Sequence, residues 1–284
     1  MLRTNEIWIR DPYIVAENEK YYLFGTRGET SWGEESAFYV YTGTDLEHWD
    51  GPETIFTAPE GFWATKHFWA PEVHKYKEKY YMFASFRSET RTRGTQILVS
   101  DAPDGPFTIH SGDPVTPEED LSLDGTLWVE NGVPYMVYCH GWTQIGDGRM
   151  CLIPLREDLT AADGPKVHLF CASEAPWTRG WDDDKNFVTD GPFLYSAKNG
   201  DLLMLWSSVG EEGYAMGYAR SQSGSVLGPW EHMAEPIFKK DGGHSMIFKT
   251  LEGRLMITLH CPNTGGLERP VFLPLKDENG ILSL

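Results

Sequence analysis

Basic residues are scarce in this chain of 284 residues: 24 Lys and Arg stand against 42 Asp and Glu, giving a formal charge of -18 and a sequence pI near 4.8. Such a surface repels polyphosphate and anionic lipid, which argues against nucleic-acid and membrane-surface roles. Long apolar runs are missing as well. The longest, such as YYLFG (21–25) and LLMLW (202–206), are about five residues, too short for a membrane-spanning helix. The opening MLRTNEIWIRDPYIV lacks the apolar core of a secretory leader, because Arg3, Glu6, Arg10 and Asp11 interrupt it. A cytoplasmic protein is expected, or one whose leader has been trimmed. Only four cysteines occur, Cys139, Cys151, Cys171 and Cys261, without a Cys-x-x-Cys spacing. That disfavours a zinc or redox motif and leaves buried free thiols as the expectation. No Gly-x-Ser-x-Gly elbow or phosphate loop is present, and His67 and His74 lack zincin spacing. The run WDDDKNFVTDGPF (181–193) fails as a calcium loop, since Phe187 and Phe193 stand where Gly and Glu are needed.

An internal repeat is present instead. DPYIVAENEKYYLFG (11–25) recurs without gaps as APEVHKYKEKYYMFA (70–84) and DGTLWVENGVPYMVY (124–138). DGPFLYSAKNGDLLMLW (190–206) carries about one extra residue, and HSMIFKTLEGRLMIT (244–258) again aligns without gaps. Each copy is two short apolar strands around a polar turn, the signature of a β-hairpin. Further strand pairs follow most copies: 36–49, 95–107, RMCLIPLREDL (149–159), 214–230, and RPVFLPL with ILSL (269–284). With 29 Gly and 18 Pro and short apolar runs, no long amphipathic helix competes. Five four-stranded units at a period of roughly 58 residues predict an all-β five-bladed β-propeller, with residues 1–284 as one domain. A pair of β-sandwiches would give as many strands but no common phase across five hairpins.

In a propeller the first strand of each blade lines the axis, so residues at one repeat position meet there. In phase with Asp11 stand Ala70, Asp124, the pair Asp190/Gly191, and His244. Several carboxylates at one axis are costly to bury unless function or a metal requires them. Their repulsion raises at least one pKa, as an acid catalyst needs. A paired acid and base is the natural reading. Among the 11 Trp, Trp69, Trp128 and Trp181 lie at or near inner strands and are candidate sugar-stacking platforms, with Phe68 beside them.

The runs RDPYIV (10–15), WAPEVHKYKEKYYMFAS (69–85), LDGTLWVENGVPYMVY (123–138), TDGPFLYSAKNGDLLMLWSS (189–208) and GGHSMIFKT (242–250) resemble glycoside hydrolase family 43 over nearly the whole chain. That family groups arabinanases, α-L-arabinofuranosidases, β-xylosidases and some galactan-active enzymes on five-bladed propellers. The resemblance implies inverting hydrolysis of terminal α-L-arabinofuranosyl or β-D-xylosyl units of oligo- or polysaccharides. Asp11 would be the general base and Asp124 the carboxylate that orients the acid and keeps its pKa high. Asp190 falls where the family usually has a glutamate as general acid. It is one methylene shorter, a deficit of roughly 1 to 1.5 Å, and misplacement of about 1 Å can cost a hundredfold in rate. Glu211 and Glu212 in VGEEGYA are the alternative proton donors. His244 would hold a hydrated calcium ion in the central channel, and Arg269 would lie near the sugar. The alternatives are a galactan- or galactofuranoside-active enzyme, a retaining fructosidase-like propeller, a phosphorylase, and a non-catalytic carbohydrate-binding propeller. A phosphorylase needs a basic cluster for phosphate, and the phase positions offer none.

Overall fold

A computed structural model describes the backbone of residues 1–284 and every side chain except that of Asp183. Five antiparallel sheets follow one another along the chain and form the five blades, each running outward from its inner strand. The inner strands are Ile9–Glu17, Lys66–Tyr76, Ser122–Glu130, Asp190–Ser196 and Gly243–Lys249. Each pairs with the strand after it through a tight turn. Two of these turns place consecutive residues in the left-handed region, Asn18 and Glu19 (φ 54° and 62°) and Asn131 and Gly132 (φ 53° and 82°). That is the geometry matching the twist of a two-residue hairpin. The second strands read as apolar runs rather than alternating ones because both faces of each blade are covered by neighbouring blades. In Lys79–Arg87 every residue except the two ends is buried.

The hydrophobic core therefore lies between blades, and four clusters of buried side chains occupy these interfaces. Between blades 1 and 2, Phe86 is fully buried and meets Phe68, Phe62 and Phe38 edge-on, with ring centroids 4.9, 5.3 and 5.6 Å away. Phe86→Ala should lower the unfolding free energy by ~3–5 kcal/mol, since it removes a fully buried ring from a packed aromatic cluster. Denaturant titration checks it, and a loss below ~1 kcal/mol would show that the cluster collapses around the gap.

Two outer regions differ from the sequence expectation. The fourth strand of blade 3 is Val167–Cys171, beyond the segment 149–159. In blade 5, Ile281–Ser283 does not join Arg269–Pro274 but forms its own hairpin with Lys276–Glu278, leaving a three-stranded sheet. Asp277 ties this hairpin to blade 4. Its carboxylate accepts hydrogen bonds from the Tyr195 hydroxyl (2.9 Å) and the Lys198 amide (2.7 Å) of blade 4, as well as from the Gly280 amide (2.9 Å) of its own turn. The hairpin is thereby held across the boundary between blades 4 and 5. At the other end, Leu2–Arg3 adds to the outer edge of blade 1. The ring closes through side chains: Arg10 pairs with Glu268 at 2.8 Å, and Trp49 packs on Phe272.

One feature repeats in all five blades and positions the site. Every inner strand carries a β-bulge near its start, and the bulged residue is left-handed: Asp11 (φ 52°), Ala70 (44°), Asp124 (58°), Gly191 (52°) and His244 (53°). In four blades the amide of that residue donates to a side chain on the second strand of the preceding blade. Ala70 bonds Thr26 Oγ1 (2.7 Å), Asp124 bonds Ser85 Oγ (2.9 Å), His244 bonds Ser207 Oγ (2.8 Å), and Asp11 bonds His260 Nδ1 (3.1 Å). The corresponding place in blade 3 holds Cys139, opposite Leu123, and there the Gly191 amide donates to Asp124 Oδ2 at 3.0 Å. A bulge re-aims the strand locally, and this ring of bonds fixes how it is re-aimed.

Candidate active site

The bulges open into a cavity of about 650 Å³. Asp11, Asp124, Asp190, His244 and Trp69 all line it. The register resolves which residue of the Asp190/Gly191 pair shares the phase. Gly191 is the bulged residue, and Asp190 precedes it, in the place of Arg10 in blade 1. Glycine is required at 191 because a Cβ there would lie 2.7 Å from His244 Cδ2.

The three carboxylates sit in different electrostatic surroundings. Asp11 Oδ1 is 3.1 Å from His244 Nδ1, and its Oδ2 accepts the Thr26 hydroxyl at 2.5 Å. Burial alone would raise the Asp11 carboxyl, but His244, His260 and Arg10 overcome it and hold the group well below the usual carboxylate range. Asp11 is therefore an anion at any working pH. Asp190 is pushed up to about 7 by burial first and then by Asp124, with His244 opposing, Asp11 adding to the rise, and the Tyr214 hydroxyl that donates to it at 3.1 Å pulling weakly the other way. Asp124 is raised by burial too, with His244, the Gly191 amide and Arg93 pulling the other way. Of the neighbours Asp124 and Asp190, Asp124 has the amide and the closer cation, with His244 Nδ1 3.8 Å from its Oδ2. It carries the charge, and Asp190 retains the proton.

The two histidines differ for equally local reasons. His260 Nδ1 accepts the Asp11 amide, so its proton sits on Nε2, 3.1 Å from Asn263 Oδ1. Burial, with Arg10 and His244, pushes it down to about 4, against the opposing pull of Asp11. His244 is driven up to about 10: burial lowers it, but Asp11 and Asp124 outweigh burial. Its Nδ1 is turned to Asp11 and Asp124, which leaves Nε2 as the atom that would face a hydrated calcium ion in the channel. Among the described residues, three metal-ligating groups converge only at His168, Cys171 and Glu174, on the outer edge of blade 3, where the nitrogen and sulfur donors are unlike a calcium cage.

Four other candidates do not line the cavity. Phe68 is buried among Phe38, Phe56, Phe62 and Phe86, because alternation along the strand turns it away from the cavity that its neighbours His67 and Trp69 line. Trp128, beyond the bulge of blade 3, packs into the core between blades 3 and 4. Arg269 hydrogen-bonds the backbone carbonyls of Asn5, Gly266 and Glu268, tying the N-terminal segment to blade 5. Trp181 is exposed and does not line the cavity. Glu211 and Glu212 line a separate, smaller depression with Arg179 and Lys239. Their loop nevertheless leads to the site, through Tyr214. Sequence reasoning also missed Trp32, 69% exposed at the cavity and edge-on to Trp69. A tryptophan in the polar loop TSWGEES was the available signal.

Residues 6–274 match the family model described as glycosyl hydrolases family 43. A solved structure described as an endo-arabinase from Bacteroides thetaiotaomicron superposes with a TM-score of 0.91 at 39% identity, over 99% of this chain and 98% of that one. The chain is 25% identical over 258 residues to an extracellular exo-α-(1→5)-L-arabinofuranosidase of Streptomyces avermitilis, covering 81% of this chain and 48% of that protein. It is 29% identical over 147 residues to extracellular endo-α-(1→5)-L-arabinanase 1 of Bacillus subtilis, covering 45% and 44%. The chain thus spans about half the length of these curated relatives, or less. With a matching family model over almost its whole length and a five-bladed fold shared with a 39% identical relative, this chain belongs to family 43 of the glycosyl hydrolases.

Proposed function

We propose that the protein releases terminal α-L-arabinofuranosyl units from an oligo- or polysaccharide by inverting hydrolysis, with β-D-xylosyl units as the second choice. The observation that carries this reading is the contrast between Asp11, held anionic, and Asp190, held protonated, around one cavity. Environments that push two carboxyl groups apart mark the base and the acid. Asp11 accepts a proton from water as it attacks the anomeric carbon, while Asp190 protonates the departing oxygen. In an inverting pair the carboxyl groups stand about 6.5 to 9.5 Å apart to admit that water. Asp124 keeps its negative charge beside Asp190, which raises the acid's proton affinity until the leaving group needs the proton. His244 ties Asp11 in position. The arabinofuranosyl preference is supported by the names of the relatives described above.

The test is a panel of aryl glycosides (α-L-arabinofuranoside, β-D-xyloside, β-D-galactoside, β-D-galactofuranoside), with the first-formed anomer followed by proton NMR. Turnover of the arabinofuranoside with inversion, and kcat/KM falling as pH rises through about 7 where Asp190 loses its proton, supports the assignment. Retention of configuration would overturn it. Linear α-(1→5)-arabino-oligosaccharides separate the modes: arabinose as sole early product means terminal attack, and internal fragments replace it with endo action.

A further inference from the structure

The cavity also holds two cations that take no part in the proton transfers. Arg87 ends the second strand of blade 2, Arg93 immediately precedes its third strand (Gly94–Ser100), and both line the cavity. Among the described residues neither forms an ion pair, although their neighbours Lys66 and Arg91 each have one, with Glu89 and Asp113. Arg93 is only 8% exposed, and its Nε is buried with no hydrogen-bond partner. One of its terminal nitrogens donates to His67 Nδ1 at 3.0 Å, and its guanidinium lies 4.1 Å from the centre of the Trp69 ring. His67 cannot neutralise it. Burial, Arg93 and Arg87 push that imidazole down to about 4, so it stays an uncharged acceptor. The field of Asp124 and Asp190 reaches Arg93, but neither carboxylate is within ion-pair distance, and both are committed to the reaction.

A buried guanidinium without a carboxylate partner is costly, and an unsatisfied buried N–H adds to that cost. Acidic residues are not in short supply in a chain with 42 of them. Both arginines line the space that receives the glycan. A guanidinium matches a planar carboxylate through two parallel hydrogen bonds, which neutral hydroxyl groups cannot reproduce.

We propose that Arg87 and Arg93 form a subsite for the carboxylate of a uronosyl unit, carried by the glycan next to the bond that is cleaved. This rests on the glycosidase reading above and names the chemistry of its substrate. His67 and Trp69 hold Arg93 in position.

The test is calorimetric, so it does not depend on turnover. D-Galacturonate and D-glucuronate are titrated into the full chain and compared with D-galactose and D-glucose, and with inorganic phosphate and sulfate. The uronates should bind at least about tenfold more tightly than their neutral parents and than either inorganic anion. Arg87→Gln, at the less buried of the two positions, should erase most of that preference. Arg93→Lys keeps the buried charge but removes the fork, and should weaken uronate binding about tenfold in a protein that still unfolds cooperatively. Equal binding of acidic and neutral sugars would overturn the proposal, as would a preference that survives both substitutions. Phosphate or sulfate binding as tightly as the uronates would overturn it in favour of a free-anion site. Silence on both the aryl panel and the arabino-oligosaccharides, combined with a uronate preference, would instead refute the arabinofuranosyl assignment and leave this subsite standing.

Discussion

Asp11→Asn should cut turnover by roughly 10²–10⁴, the range a positioned general base contributes, and leave a cooperatively folded protein. The amide is nearly isosteric and can still accept the Thr26 hydroxyl that now bonds Oδ2 at 2.5 Å. What it cannot do is take a proton from water or sustain the charge that His244 meets at 3.1 Å. The same substitution should therefore lower the His244 pKa from about 10, because Asp11 is the largest influence raising it. The sign follows from linkage. A histidine whose folded pKa is raised above 6.5 contributes stability that is complete below that pH and is lost as pH rises through about 10. Removing its partner should thus destabilise the fold at neutral pH more than at pH 10. A variant that keeps more than a few per cent of activity would remove Asp11 from the role of base. Lost activity together with lost cooperativity would show that the ion pair serves the fold instead.

Why Asp11, Asp124 and His244 were legible from sequence while Asp190 was displaced by one residue has a physical answer. A propeller repeats its inner strand, and the bulge falls at the same place in each copy, so aligned repeats put three of these residues in one column. The fourth copy carries an extra residue, and only the pairing of Asp190 with Ser207 shows that Gly191 occupies the bulge. The inter-blade bonds had a signal too: Thr26, Ser85, Cys139, Ser207 and His260 stand at one position of otherwise apolar second strands. What could not be read are the parts without a period. Arg87, Arg93, His67 and Trp32 enter the cavity from strand ends and loops, which no repeat aligns. Edge strands as short as Thr108–Ile109 bury too little to leave a pattern, and the hairpin after Pro274 is placed by Asp277 contacts with blade 4. Phe68 and Trp128 misled because an aromatic residue near the axis serves the interface between blades as readily as it serves a sugar.

The largest substrate-dependent effect should come from Asp190→Asn. An amide cannot protonate a departing sugar oxygen, so hydrolysis of arabino-oligosaccharides, whose leaving alcohols are poor, should fall roughly 10²–10⁴. An aryl glycoside with a strongly activated phenol leaves without that proton and should lose less than about tenfold. The fall of kcat/KM above about pH 7 should vanish together with the group that titrates there. The family's longer glutamate makes this test decisive for the short side chain. If the aspartate were too short to reach, the wild-type protein would already behave like an enzyme without an acid, and the substitution would change both substrates little and equally. Asp190 is set one residue before the bulge, bonded to Tyr214, and raised by burial and Asp124 to about 7, the pKa an acid needs at neutral pH. Stability gives an independent check. A carboxyl group whose folded pKa is raised from 3.8 to about 7 opposes folding increasingly as pH rises across that interval and fully above it. Asp190→Asn should accordingly raise the melting temperature at pH 8 and leave it nearly unchanged at pH 4. A large activity loss confined to poor leaving groups, in a protein made more stable at alkaline pH, is the signature of a proton donor held where function rather than folding requires it.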